Sequence, residues 1–146
     1  MYKVFFNQKP LILSNQIHEI SDNEPLLYIK YSNANQIIKA LKNNKNTRVF
    51  LYHRDINKLW KGFIKKFPIV EAAGGLVERS DNKTLFIFRN NKWDLPKGGV
   101  EKKEKIIEAA VREVTEETGV SDLLVKNRLS ETFHLFKKGK RYRLKK

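Results

Sequence analysis

Residues 98–120 read GGVEKKEKIIEAAVREVTEETGV, and the rest of the chain is organised around them. From Lys105 to Thr118 the residues suit a helix: Ile106, Ile107, Ala110, Val111 and Val114 recur at spacings of one, three and four, and Gly119 stands where a stop is expected. At about 100° per residue, Glu113, Glu116 and Glu117 fall within roughly a quarter of the helix circumference, bordering the stripe that carries Ile106 and Ala110. Three carboxylates so close repel one another, and acidic groups near a helix C-terminus oppose the helix dipole. The arrangement calls for a positive partner. A hard divalent cation such as Mg2+ would serve, because it prefers carboxylate oxygens. A solvated acidic face is the other reading, and the spacing within the helix leaves both open.

Composition bounds the answer. A chain of 146 residues with 40% apolar content can bury one moderate core, or one domain and a small appendage. No apolar run approaches the roughly 18 residues of a membrane span. The N-terminal MYKVFFNQKPLILSN is broken by Asn, Gln, Lys and Pro, so the expectation is a soluble cytoplasmic protein with no membrane partner. The absence of Cys removes disulfides, thiolate metal sites and thiol nucleophiles together. Thirty basic against sixteen acidic residues give a formal charge of +14, which favours phosphorylated small molecules, RNA or an anionic surface.

Residues 1–67 read as a small α/β unit. Strands are expected at Tyr2–Phe6, Leu11–Leu13, Leu26–Tyr31 and Arg48–His53. Helices are expected after a cap at Ser32 or Asn33, running through Ile37, Ile38 and Leu41, and over Asp55–Phe67. Trp60, Phe63 and Phe67 interleave with Lys58, Lys61, Lys65 and Lys66. That pattern could stack bases, but the spacing is read as a core-facing aromatic stripe with solvated lysines. His18 and His53 are isolated and read as surface or packing residues.

Pro68 is the expected boundary. Beyond it come a strand at Ile69–Ala73, a turn at Gly74 and Gly75, a strand at Leu76–Glu78, a hairpin turn over residues 80–83 and a buried strand at Thr84–Phe88. Arg89 to Lys92 leads into Trp93, Asp94, Leu95 and Pro96, and Lys97, Gly98 and Gly99 form a flexible loop before the helix. Leu123–Val125 and Ser130–Phe136 read as further strands. The last ten residues hold seven Lys or Arg, which suits a phosphate-binding strand or a solvated terminus.

Taken together, Gly98, Glu104, Arg112, Glu113, Val114, Thr115, Glu116, Glu117, Thr118, Gly119 and Val120 resemble the Nudix box at every fixed position. The preceding AAGGLVER and LFIFRNNKWDLPKGG resemble the strands and substrate loop of many members of that family. The resemblance covers about Pro68 to Phe136. It implies an α/β fold, the Nudix α/β/α sandwich with a mixed sheet, short at the C-terminus and preceded by the small α/β N-terminal unit. The division expected is therefore 1–67, without a family reading, and 68–146, the Nudix hydrolase domain. Family domains normally continue with further sheet edges and a C-terminal helix. The sheet is expected to be completed by the N-terminal unit, by a second copy of the chain, or in a longer reading frame.

The resemblance also implies a reaction and its residues: hydrolysis, dependent on Mg2+ or Mn2+, of a nucleoside diphosphate linked to another group. Glu113, Glu116 and Glu117 match the acidic positions that bind the metal and act in catalysis. Glu116 and Glu117 are the firmest ligands, and Glu113 is also a candidate base for water. The backbone at Gly98 matches the loop that gives a carbonyl to the metal. Lys97 and Arg89 are the substrate-binding candidates, and Glu104 and Arg112 match an ion pair that braces loop and helix. WDLPKGG resembles dinucleoside-polyphosphate hydrolases and some RNA 5′-end hydrolases alike. Nucleoside or dinucleoside polyphosphates are the expected substrates. An RNA 5′-end pyrophosphohydrolase and a weakly active or non-catalytic nucleotide-binding regulatory module are the alternatives, with a homodimer as a candidate assembly.

Overall fold

The computed structural model describes residues 1–16 and 20–146, so His18 lies outside the described residues. Seven strands belong to one sheet: β1 (Tyr2–Phe6), β2 (Lys9–Ser14), β3 (Leu26–Tyr28), β4 (Val49–Tyr52), β5 (Ile69–Val70) and, after four further strands, β10 (His134–Lys138) and β11 (Arg141–Lys145). The four between them, β6 (Ala72–Gly74), β7 (Ile87–Arg89), β8 (Lys92–Asp94) and β9 (Lys97–Gly99), make two separate pairs. The helices are α1 (Ala34–Lys42), α2 (Ile56–Lys66) and α3 (Ile106–Thr118). Contacts group the chain into Met1–Val70 with Glu131–Lys146, and Glu71–Ser130. Strands β10 and β11 thus share a sheet with strands of the N-terminal residues.

In the first unit the order is β3-β4-β2-β1-β10-β11-β5, with parallel and antiparallel neighbours. Alternation assigns one face to the core: Val4, Leu11, Leu13, Leu135 and Leu144 are buried together with Val49 and Leu51. Onto that face pack Ile37, Ile38 and Leu41 of α1, and Leu59 and Phe63 of α2. Asn33 starts α1 with a reciprocal capping box. Its side chain accepts from the Gln36 amide at 2.9 Å, while the Gln36 side chain accepts from the Asn33 amide at 2.8 Å. Asp55 caps α2 by accepting from the amides of Asn57 and Lys58. Phe63 and Phe67 are fully buried, and Trp60 stacks on Tyr2 with ring centres 4.4 Å apart, so this aromatic stripe is core. His53 accepts from the Asp55 amide and serves the turn into α2.

The basic C-terminal segment is a strand rather than a loose end, because β11 pairs with both β10 and β5 and sinks Leu144 completely. The strand expected at Ser130–Phe136 starts later, at His134.

In the second unit β6 and β9 pair antiparallel, placing Ala72 opposite Gly99, Ala73 opposite Gly98 and Gly74 opposite Lys97. Helix α3 packs on both strands through Ala109 and Val114, and it ends at Gly119, whose φ of 72° is the left-handed conformation that glycine adopts without strain. Several expectations are corrected here. The strand expected at Ile69–Ala73 is divided at Glu71 between two sheets. Leu76–Glu78 supplies only a bridge from Glu78 to Thr84, and Leu123–Val125 forms no strand. Thr84–Phe88 is not a buried strand: β7 begins at Ile87, and Phe86 and Phe88 are 50% and 60% exposed. A run of apolar residues signals a strand whether or not a partner covers it, and among the described residues the β7–β8 pair has no third strand beside it. On α3, Ile106 and Ile107 are exposed while Ala109 and Val114 are buried, so the helix turns a smaller side inward than the full apolar stripe. Helices and a mixed sheet make the chain α/β, as expected.

Candidate active site

The site is built where α3 crosses β9. At Gly98 a Cβ would collide with the carboxylate of Glu113, so the glycine lets this acidic group lie directly against the strand backbone. Gly74, the partner of Lys97, is constrained in the same way, because a Cβ there would strike the Pro96 carbonyl oxygen and Lys97. These two glycines let β9 lie close to β6 and to α3.

Arg112 organises the helix face. Its Nε and Nη2 donate to Oε1 and Oε2 of Glu104 at 2.8 and 2.9 Å, a two-pronged pair that fixes the guanidinium plane. Nη2 also donates to the Gly99 carbonyl at 2.9 Å, and Nη1 reaches Glu113 Oε1 at 2.9 Å and Glu116 Oε2 at 3.2 Å. The Glu101 amide donates to Glu104 as well, at 2.8 Å. Under these donors, Arg112 foremost, the Glu104 carboxyl is held down at about 2, well below its ordinary 4.5. The guanidinium is pushed up in turn, by Glu104 first and then by Glu113. The ion pair that the family resemblance implies is present, and it ties α3 both to the loop before it and to β9.

Glu117 is held separately. Its Oε2 accepts from the Lys97 backbone amide at 2.9 Å, and its Oε1 accepts from Arg89 Nη1 at 2.8 Å. Glu116 is the outermost of the three, 59% exposed against 14% for Glu113 and 19% for Glu117. The positive charge that this acidic face calls for is thus delivered by Arg112 on one side and Arg89 on the other. Among the described residues no three Asp, Glu or His side chains converge on one point as a ready metal cage. The donors nonetheless fit a hard divalent ion by their chemistry: three carboxylates, oxygen only, beside a main chain opened by Gly98.

The Lys97 ammonium pairs with Asp94 and donates to the Leu95 carbonyl at 3.1 Å. Asp94 was absent from the sequence-based site, although its spacing to Lys97 is visible in WDLPKGG. Burial pushes the Asp94 carboxyl up, but Lys97 outweighs it and the net shift is downward.

An α/β protein with a glycine-opened strand against an acidic helix is the class that this architecture defines. The family is set by a direct match: the model of the NUDIX domain fits residues 68–145, more than half of the chain, and the chain belongs to the Nudix family. Members generally use divalent metal ions and act on phosphorylated substrates. Over 60 residues the chain is 37% identical to a protein of Pelagibacter ubique (strain HTCC1062) named RNA pyrophosphohydrolase, the match covering 38% of each chain. Over 34 residues it is 50% identical to a protein of the same name from Bartonella tribocorum (strain CIP 105476 / IBS 506), covering 23% of this chain and 20% of that one. The chain therefore spans well under half the length of these curated relatives. No solved structure matches it. No helix among the described residues is long and apolar enough to cross a membrane.

Proposed function

We propose that the chain hydrolyses a pyrophosphate linkage in nucleoside 5′-polyphosphates, with Mg2+ or Mn2+ as its cofactor and the cytoplasm as its place of action. In this reading residues 68–146 are the hydrolase domain and residues 1–67 an accessory unit. The observation that carries it is the Glu113 carboxylate seated on Gly98, with Arg112 binding the same carboxylate to Glu104 and to the Gly99 carbonyl. Glu113, Glu116, Glu117 and the Gly98 carbonyl would hold the ion, which when bound draws negative charge from the phosphate oxygens.

The chain's own groups do the rest. Glu113 takes a proton from the attacking water, which adds to phosphorus in line while the bond to the leaving phosphate breaks; no covalent enzyme intermediate is needed. Arg112 makes five hydrogen bonds and stays in place, holding helix and loop in register. Arg89 donates to Glu117 from a half-exposed position, so it is free to turn to a substrate phosphate. Lys97, anchored by Asp94, offers a second positive charge at the strand end.

A second reading narrows the substrate to the 5′-triphosphate end of RNA. The names of both relatives favour it, and so does the charge of +14. A panel of nucleoside triphosphates, dinucleoside polyphosphates and 5′-triphosphate RNA, assayed with Mg2+ and Mn2+ and with products identified, tests both readings. Metal-dependent release of phosphate or pyrophosphate is expected. Nucleotide binding without any turnover would replace the enzyme by a regulatory module.

A further inference from the structure

The charge of the chain is divided unevenly between its two units. Residues 71–130 contain eleven Lys or Arg and eleven Asp or Glu, so the whole net charge of +14 falls in Met1–Val70 with Glu131–Lys146. Within that unit the seven strands of the sheet contain no acidic residue at all. The unit that carries the Nudix box is electrically neutral, while the attraction for polyanions resides in the other. A small nucleotide needs no such surface; a long phosphate chain does.

The positive groups of β1, β10 and β11 are interleaved with rings on one face. Register and alternation put Lys3 and Phe5 of β1, His134, Phe136 and Lys138 of β10, and Arg141, Arg143 and Lys145 of β11 on the side opposite Val4, Leu135 and Leu144. That buried side is the one on which α1 and α2 pack. Contacts agree with the register. Phe5 and His134 stack with centres 5.6 Å apart, the Lys3 ammonium lies 5.1 Å from the centre of the Phe5 ring, and the Lys145 ammonium lies 5.3 Å from that of Phe136. Lys3, Lys138 and Arg141 are exposed, and Phe5, Phe136, Arg143 and Lys145 are half-buried.

We propose that this face of the sheet binds single-stranded RNA, with bases stacking on Phe5 and Phe136 and with Lys3, Lys138, Arg141, Arg143 and Lys145 neutralising the phosphates. A ring capped by an ammonium suits both parts of the ligand: the base takes the ring face and the lysine moves to the adjacent phosphate. Neighbouring strands set the rings and cations out across the sheet, a spacing that a flexible single strand can follow and a rigid duplex cannot. The proposal deepens the RNA reading of the Nudix site, but the binding itself does not require hydrolysis.

The test uses the full chain and a fluorescent 5′-hydroxyl RNA of about twelve nucleotides, which offers no pyrophosphate bond, followed by anisotropy over a salt series. Affinity should fall with salt, and Arg141→Gln with Arg143→Gln should make the log–log slope shallower by about 1.4. Phe5→Leu with Phe136→Leu, which keeps the surface apolar, should weaken binding at least about tenfold. Circular dichroism controls for folding. Absence of binding at low salt overturns the proposal, as do unchanged affinity in the Phe pair and duplex RNA bound as tightly as the single strand. A chain that turns over nucleotides yet ignores this RNA overturns the binding face alone. A chain that binds it and hydrolyses nothing overturns the hydrolase reading alone.

Discussion

The carboxylate of Glu113 lies so close to the backbone of Gly98 that no side chain could stand between them. The contact joins the acidic helix α3 to strand β9. Everything proposed for the site depends on that separation.

Gly98→Ala should therefore damage activity and fold together. The added methyl group must displace Glu113 or the strand, at a stability cost of about 1–3 kcal/mol, and a shift of about 1 Å in a catalytic carboxylate reduces turnover on the order of a hundredfold. A double-mutant cycle separates the two effects. In a Glu113→Ala background the same alanine should cost little stability, because the clashing carboxylate is gone. Urea midpoints for the four proteins measure the coupling.

The two arginines should behave differently when replaced. Arg112→Lys removes a planar fork that binds both oxygens of Glu104 together with Gly99, Glu113 and Glu116, which a lysine cannot reproduce. Loss of thermal stability and of kcat is expected. Arg89→Gln breaks one half-exposed pair, worth about 0–1 kcal/mol, so the melting temperature should hardly move while KM rises. Equal effects of the two substitutions on stability would contradict the division between a fixed and a movable guanidinium.

Acid should loosen the helix anchor in a defined window. Glu104 is held at about 2 against an ordinary 4.5, so the folded state favours its ionised form. Its contribution to stability is complete above 4.5 and is lost as pH falls from there toward about 2. Parent and Glu104→Gln should differ most at neutral pH and converge through this interval. Denaturant midpoints measured across it check the sign; curves that stay parallel would show that Arg112 does not lower this carboxyl.

Much of the architecture was legible because local signals and tertiary contacts agree. Asn33 and Asp55 are good caps, Gly119 is a good stop, and the stripe from Leu59 to Phe67 is core as its spacing suggests. Where periodicity was the sole guide, burial was misjudged: Phe86 and Phe88 are apolar and exposed, and Ile106 lies outside while Ala109 lies inside. Completion of the sheet by the N-terminal unit was one of three expectations, and the sequence could not choose among them or place Leu135 and Leu144 in the core of Val4 and Leu11, since a sheet pairs segments irrespective of their separation along the chain. At the site, the family resemblance implied the pair of Glu104 and Arg112, and the structure contains it. The roles of the Lys97 amide and of Asp94 emerged only in three dimensions, because a backbone donor leaves no trace in residue identity.

The central claim is that Glu116 and Glu117 serve a metal-dependent pyrophosphate hydrolysis. Its most direct test is the initial rate of nucleoside 5′-polyphosphate hydrolysis in Mg2+ and in EDTA, for the parent, Glu116→Gln and Glu117→Gln. The account predicts that chelation abolishes turnover and that each substitution lowers it by about a hundredfold or more with the fold retained. Unaltered Mg2+-dependent hydrolysis in both variants would contradict it.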